Sequence, residues 1–312
     1  MKQIMGTALE PMAVLDLPEM AWGPEDYGRY MEALKADGLD LVVLQFAVFE
    51  QWACYPSQLR KPYYAYDFIG MLFDLAERHG VRVVLGLALD SHVGYLRNPA
   101  AGWDAEYDLQ LCKQVARELW QRYGDRPNLW GWYIPHETGD RIHRGDTLYL
   151  MRRLAPWLKE MTPAKKVTHG PWFTSYLTVG ADATTPAQYA EEWDAILTEV
   201  QGIDIYAIQD GTAPDAEVGE WFAAAQPVFT AHGAELWSVV EAFPRDPVSM
   251  LALTDRAVTI DALLGRMRQA DPYVTGFVTF EYQRYLGPLS PLAGSRELNA
   301  AYRRWLDGPD RS

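Results

Sequence analysis

Residues 129–140 read LWGWYIPHETGD. The apolar run Leu129–Ile134 has the pattern of a buried strand and runs into Pro135, His136 and Glu137, then into a polar turn with Gly139. A hydrophobic strand that finishes on a carboxylate marks its end as a place of work. Trp130 and Trp132 are two residues apart, a spacing that predicts one shared face and a packing role.

Outward from this stretch, the chain alternates short apolar runs with amphipathic segments. Strands are predicted at 3–9, 39–46, 81–89, 166–170, 203–208, 235–240 and 274–280. Helices are predicted at 27–36, 67–78, 105–123, 146–161, 186–200, 215–232, 248–269 and 297–305. The run LDLVVLQF is nearly continuous in apolar residues, as a strand covered on both faces requires. With the opening strand this makes eight strand-then-helix units. Such alternation implies parallel strands, and eight units over 312 residues predict an α/β protein with a (β/α)8 TIM barrel forming a single domain over 1–312. An open dinucleotide-binding sheet would want a glycine-rich turn after strand one, where the chain has Leu9-Glu10-Pro11-Met12. The long connections 47–66, 90–104 and 171–185 fall at the end of the barrel where clefts are built.

Composition narrows the partners. Lys and Arg total 28 against 42 Asp and Glu, a formal charge of −14 that disfavours nucleic acid and anionic membrane surfaces. No apolar run has the length of a membrane span. The start, MKQIMGTALEP, has too short an apolar part for a signal peptide. The chain as it stands reads as cytoplasmic, or as secreted or periplasmic if a leader has been removed. Cys54 and Cys112 are too few for a disulfide framework and are read as free thiols.

In a barrel of this kind the chemistry sits at the C-terminal strand ends. Polar residues there are Glu10, Gln45, Asp90, His92, His136, Glu137, His169, Gln209, Asp210, Glu241, Glu281 and Tyr282, with Tyr206 near the end of strand six. Glu137 ends strand four and Glu241 ends strand seven, nearly across the mouth from each other. Two carboxylates aimed into one cleft are the apparatus of glycoside hydrolysis: one protonates the leaving oxygen, the other attacks the anomeric carbon or activates water. That chemistry needs no cofactor.

With these residues in place, the chain resembles clan A of the glycoside hydrolases, retaining enzymes with (β/α)8 barrels. More narrowly, WGWYIPHE and IYAIQDG are similar to a family of glycosidase-like barrels catalogued as a domain of unknown function. The resemblance implies that Glu137 is the acid/base and Glu241 the nucleophile. It also marks a departure: the clan carries Asn before the acid/base Glu to bind the sugar 2-hydroxyl, and this chain has His136.

Simpler readings stand beside these. Glu137 could pair with Arg141 or Arg144, Glu241 with Arg245, and Asp210 could only shape an Asp-Gly turn. Glu281 rivals Glu241. Trp52, Trp103, Trp172 and Phe173 lie in mouth-side loops, where aromatic faces suit sugar rings. Besides the catalytic pair, the expected substrate contacts are His136, Gln45, Asp90, His169, Trp172, Tyr206, Gln209, Asp210, Glu281 and Tyr282. Convergence of His92, His136 and His169 would suggest a metal-dependent hydrolase, but no His-Glu-x-x-His occurs and no metal is expected. The expected function is hydrolysis of a poly- or oligosaccharide; the alternatives are a non-catalytic carbohydrate-binding barrel and the metal enzyme.

Overall fold

A computed structural model describes residues 1–12, 22–90, 104–139, 144–244 and 255–308. Eight parallel strands close a barrel. In chain order they are β1 (Ile4–Leu9), β2 (Leu41–Leu44), β3 (Arg82–Gly86), β4 (Leu129–Ile134), β5 (Lys166–His169), β6 (Ile205–Gln209), β7 (Glu235–Glu241) and β8 (Gly276–Phe280). Each strand pairs with its sequence neighbours, and β8 closes on β1. The outer helices are α1 (Pro24–Ala36), α2 (Phe68–His79), α3 (Ala105–Tyr123), α4 (Arg144–Met161), α5 (Pro186–Glu199), α6 (Val218–Ala231), α7 (Ile260–Ala270) and α8 (Ser295–Asp307). The chain is therefore the expected (β/α)8 barrel.

Local chemistry starts and stops these helices. Asp67, Asp104, Thr185 and Thr259 each accept a backbone N–H of the first turn, satisfying donors that the helix itself cannot. Gly80 ends α2 in the left-handed region at φ 63°, which a side chain would resist. Of the helix predicted over 248–269, residues 248–254 lie outside the described residues, 255–259 are not helical, and α7 begins at Ile260 behind its cap Thr259.

Two apolar layers hold the barrel. The larger lies between strands and helices. The smaller fills the interior and includes Leu41, Val84, Tyr133, Ile205, Trp237 and Val278. At the floor, Trp130 stacks on Trp237 with ring centroids 5.8 Å apart, and the Arg82 guanidinium lies over Trp130.

Strand β4 departs from simple alternation. Val83 pairs with Leu129, but Val84 pairs with Gly131, so Trp130 is an extra residue opposite β3. A one-residue bulge reverses the facing of everything after it. Trp130 thus points inward, while Trp132 points outward, packing near Trp120 and donating its Nε1–H to Thr162 Oγ1 at 2.8 Å. The expectation that the two tryptophans share a face is corrected. The same bulge turns Tyr133 inward.

The connection 47–66 is more ordered than a loop. Its pieces Val48–Phe49, Trp52–Ala53 and Lys61–Pro62 join Ala88–Leu89, which extends the line of β3, in a small four-stranded sheet beside the mouth. Cys54 and Cys112 are both buried free thiols.

Candidate active site

Glu137 enters the mouth by a tight turn after β4, its N–H donating to Pro135 O at 2.9 Å. Three donors converge on its carboxylate. Gln45 Nε2, just past β2, donates to Oε1 at 2.8 Å, and the Tyr133 hydroxyl donates to the same oxygen at 2.9 Å. Gln209 Nε2, from the end of β6, donates to Oε2 at 2.7 Å. Burial pushes the Glu137 carboxyl up to about 7. The bonds from Tyr133 and Gln209 oppose that rise, and the charges of Glu10 and Glu241 add to it. Glu10, Glu137 and Glu241 therefore share one electrostatic neighbourhood.

Glu241 is the last residue of β7 and is buried. Its backbone is gripped from both sides. The Glu241 N–H donates to Asp210 Oδ1 at 3.0 Å, and Arg266 NH2 donates to the Glu241 carbonyl at 2.8 Å. Asp210 is fully buried, and burial pushes its carboxyl up to about 7, with Arg266 opposing and Glu241 adding. Asp210 is a support beneath Glu241, not the substrate contact its position suggested.

Glu281 is also fully buried. Arg284 NH1 stands 2.8 Å from Glu281 Oε1 and 3.1 Å from Glu10 Oε2, so one guanidinium joins the ends of β1 and β8. Burial pushes Glu281 up to about 7 against the pull of Arg284. Its immediate partner is Arg284, and Glu10, whose charge also acts on Glu137, adds to its rise.

Several other expected contacts turn away. His136 is buried, and its Nε2 stands 3.2 Å from Asp108 Oδ2 of α3, because the residue before an inward Glu137 faces the helices. His169 is buried with Nδ1 3.2 Å from Ile134 O, and burial pulls its imidazole down to about 4. Tyr206 packs against His169, Trp193 and Phe229 in the outer layer. Tyr282 is buried, its hydroxyl donating to Asp37 Oδ2 at 2.5 Å. Asp90 is held by Arg60 at 3.4 Å and the Tyr107 hydroxyl at 3.2 Å, at the edge of the small sheet. Phe173 is core, enclosed by Tyr189, Trp221 and Phe222. None of these five side chains, His136, His169, Tyr206, Tyr282 or Phe173, is placed to touch a substrate.

Trp172 remains at the rim. It is partly exposed, bridges to Gln209, and donates its backbone N–H to Thr138 O at 3.2 Å. Trp52 is partly exposed on the small sheet, edge-on to Tyr63. His92, Trp103, Arg141 and Arg245 lie outside the described residues, and the side chain of Arg144 is not described. Among the described residues, no three His, Cys, Asp or Glu side chains are grouped to hold a metal ion. Nor is any helix among them long and apolar enough to cross a membrane.

Tyr133, Arg284 and Arg266 escaped the sequence reading. Tyr133 was hidden by the bulge that reverses β4. Arg284, three residues past Glu281, had a weak signal in its spacing; Arg266, mid-helix, had none.

The profile of a family described as Domain of unknown function (DUF4434) matches residues 4–293. None of the curated proteins matches the sequence. Among solved structures, a Bacteroides thetaiotaomicron protein provisionally assigned as an alpha-L-fucosidase is 22% identical with a TM-score of 0.86, covering 98% of this chain and 94% of its own. The intracellular xylanase of Thermoanaerobacterium saccharolyticum is 14% identical with a TM-score of 0.52, over 88% of this chain and 84% of its own. A cellulase is 15% identical with a TM-score of 0.60, over 99% of this chain and 87% of its own. At these identities the likeness is one of fold.

Proposed function

Because the chain belongs to the DUF4434 family and has Glu137 just past β4 and Glu241 ending β7, at the same end of its barrel, we propose that it is a glycoside hydrolase of the retaining type. Its substrate is an oligo- or polysaccharide. One observation carries this reading: Glu137, at the mouth, has a carboxyl pushed up to about 7 while remaining hydrogen-bonded and oriented. A carboxyl that keeps its proton near neutrality is what a general acid requires.

In this reading Glu137 protonates the glycosidic oxygen as the bond to the anomeric carbon breaks. Glu241 attacks that carbon and forms a glycosyl-enzyme ester. Glu137, now ionised, takes a proton from water, which attacks the same carbon and releases Glu241. The backbone grip of Asp210 and Arg266 holds the nucleophile, and rigid placement of reacting groups is worth several orders of magnitude in rate. Gln45 and Gln209 orient Glu137, while Trp172 and Trp52 offer ring faces for neighbouring sugars.

The fold neighbours described as a fucosidase, a xylanase and a cellulase support a glycan substrate and suggest which to try. The test is a screen of fucosides, xylans, cellulose fragments and galactosides with wild type, Glu137→Gln and Glu241→Ala, following the anomer of the first product by NMR. Turnover with retained configuration, lost in both variants, supports the reading. Turnover undiminished in either variant overturns the assignment of that residue, and an inverted product overturns the covalent step.

A further inference from the structure

A cavity of about 610 Å³ lies outside the ring of strand ends, between the connections that follow β5, β6 and β7. That volume is in the range of small-ligand pockets. It borders the mouth, since Phe243 in its wall follows Glu241 by two residues. Among the described residues, its charged lining is Arg256, Arg266 and Asp215.

Arg266 is the decisive group. It is 4% exposed, yet its Nε–H has no hydrogen-bond acceptor among the described residues. The Asp215 carboxylate comes only within 3.7 Å of that nitrogen, and its side chain is 73% exposed, free to turn to water. A buried guanidinium donor left unmet is costly, so the site is one acceptor short. Guanidinium groups are matched by carboxylates more fully than by any neutral oxygen. At the rim stands Tyr176, 58% exposed, an aromatic face suited to the C–H surface of a sugar ring.

We propose that this cavity binds an acidic sugar unit, its carboxylate received by Arg266 and Arg256 and its ring lying against Tyr176. Placing that unit within the substrate glycan rests on the glycosidase reading; the binding itself does not. Because Arg266 also donates to the Glu241 carbonyl, an acid group in the cavity touches the same guanidinium that holds β7 in place.

The test is calorimetric titration of the full chain with D-glucuronate, D-glucose and D-glucose 6-sulfate, for wild type, Ala262→Phe and Arg256→Gln. Ala262 lines the cavity from α7, and its replacement fills the space while keeping Arg266. Thermal melting confirms that each variant is folded. The expected result is glucuronate binding preferred over glucose by on the order of tenfold or more, and weakened by a similar factor in both variants. Equal affinity for glucose, or preference for the sulfate ester, overturns the uronate assignment. Binding that persists in Ala262→Phe puts the ligand elsewhere and overturns the site. Glucuronate binding with no glycan hydrolysed upholds the cavity while the glycosidase reading fails; hydrolysis of neutral glycans without glucuronate binding does the reverse.

Discussion

The Tyr133 hydroxyl donates to Oε1 of Glu137, four residues further along the chain, at 2.9 Å. This bond favours the ionised carboxylate, so it works against the burial that raises the Glu137 pKa. Tyr133→Phe is expected to raise that pKa further, by on the order of one unit. The basic limb of the kcat/KM profile should move up by the same amount, while the protein melts at nearly its original temperature. An unmoved limb would mean that Glu137 does not titrate in catalysis.

With wild type, the limb itself is a prediction. The acid must be protonated, and its pKa is about 7, so kcat/KM should fall as pH rises through that value. Glu137→Gln should lower kcat about 10²–10⁴-fold on natural glycans. The loss should be much smaller on aryl glycosides, whose leaving groups need no proton. Comparing the two substrates at fixed pH separates loss of acid catalysis from loss of binding.

Stability should depend on pH in an unusual direction for carboxylates. Glu137, Asp210 and Glu281 are raised to about 7 from ordinary values of 4.5, 3.8 and 4.5. Their folded forms bind protons more tightly than the unfolded chain does. The stability they contribute is therefore complete below about pH 4 and is lost as pH rises through about 7. Between pH 5 and 8 the melting temperature should fall, and Glu281→Gln should flatten that slope. An unchanged slope in the variant would remove Glu281 from the account.

Asp210→Ala would leave Arg266 facing a void and the Glu241 N–H without its acceptor. Breaking a buried charge pair in this way costs about 3–5 kcal/mol. Asp210→Asn keeps an oxygen for the N–H and should cost less. Urea denaturation of the two variants measures the difference; equal costs would show that the hydrogen bond to Glu241 contributes little.

A Cβ placed on Gly86 would overlap the carbonyl oxygens of Leu44 and Gln45. Gly86→Ala should therefore push β2 aside, at about 1–3 kcal/mol of stability, and draw the Gln45 amide away from Glu137. A loss of kcat larger than Gln45→Ala produces would be unexpected, because both act through the same bond.

Much of this was legible in the chain. Apolar runs ending in polar residues gave the strands, and their alternation with amphipathic segments gave the barrel. Glu137 and Glu241 stood out because one follows such a run after only Pro135 and His136 and the other follows directly. His136 was misread because the turn after β4 that brings Glu137 into the mouth sends His136 the other way, to Asp108 of α3. Trp132 was misread because a bulge adds a residue without changing composition, and only its pairing with β3 reveals it. Tyr206 and Tyr282 look identical in sequence to mouth residues. What takes them away from the mouth is packing toward the helices, against Trp193 and Phe229 for one and Asp37 for the other.

The stack of Trp130 on Trp237 has a consequence for traffic. With two indoles packed across its lower end, the barrel has its working entrance above, where Glu137 and Glu241 sit. In the glycosidase reading, the departing sugar and the water that replaces it must use the same door. If the first product lingers there, its own hydroxyl groups stand closer to the glycosyl-enzyme than water does. Such an enzyme would pass its sugar to another sugar when glycan is abundant, and to water when it is scarce.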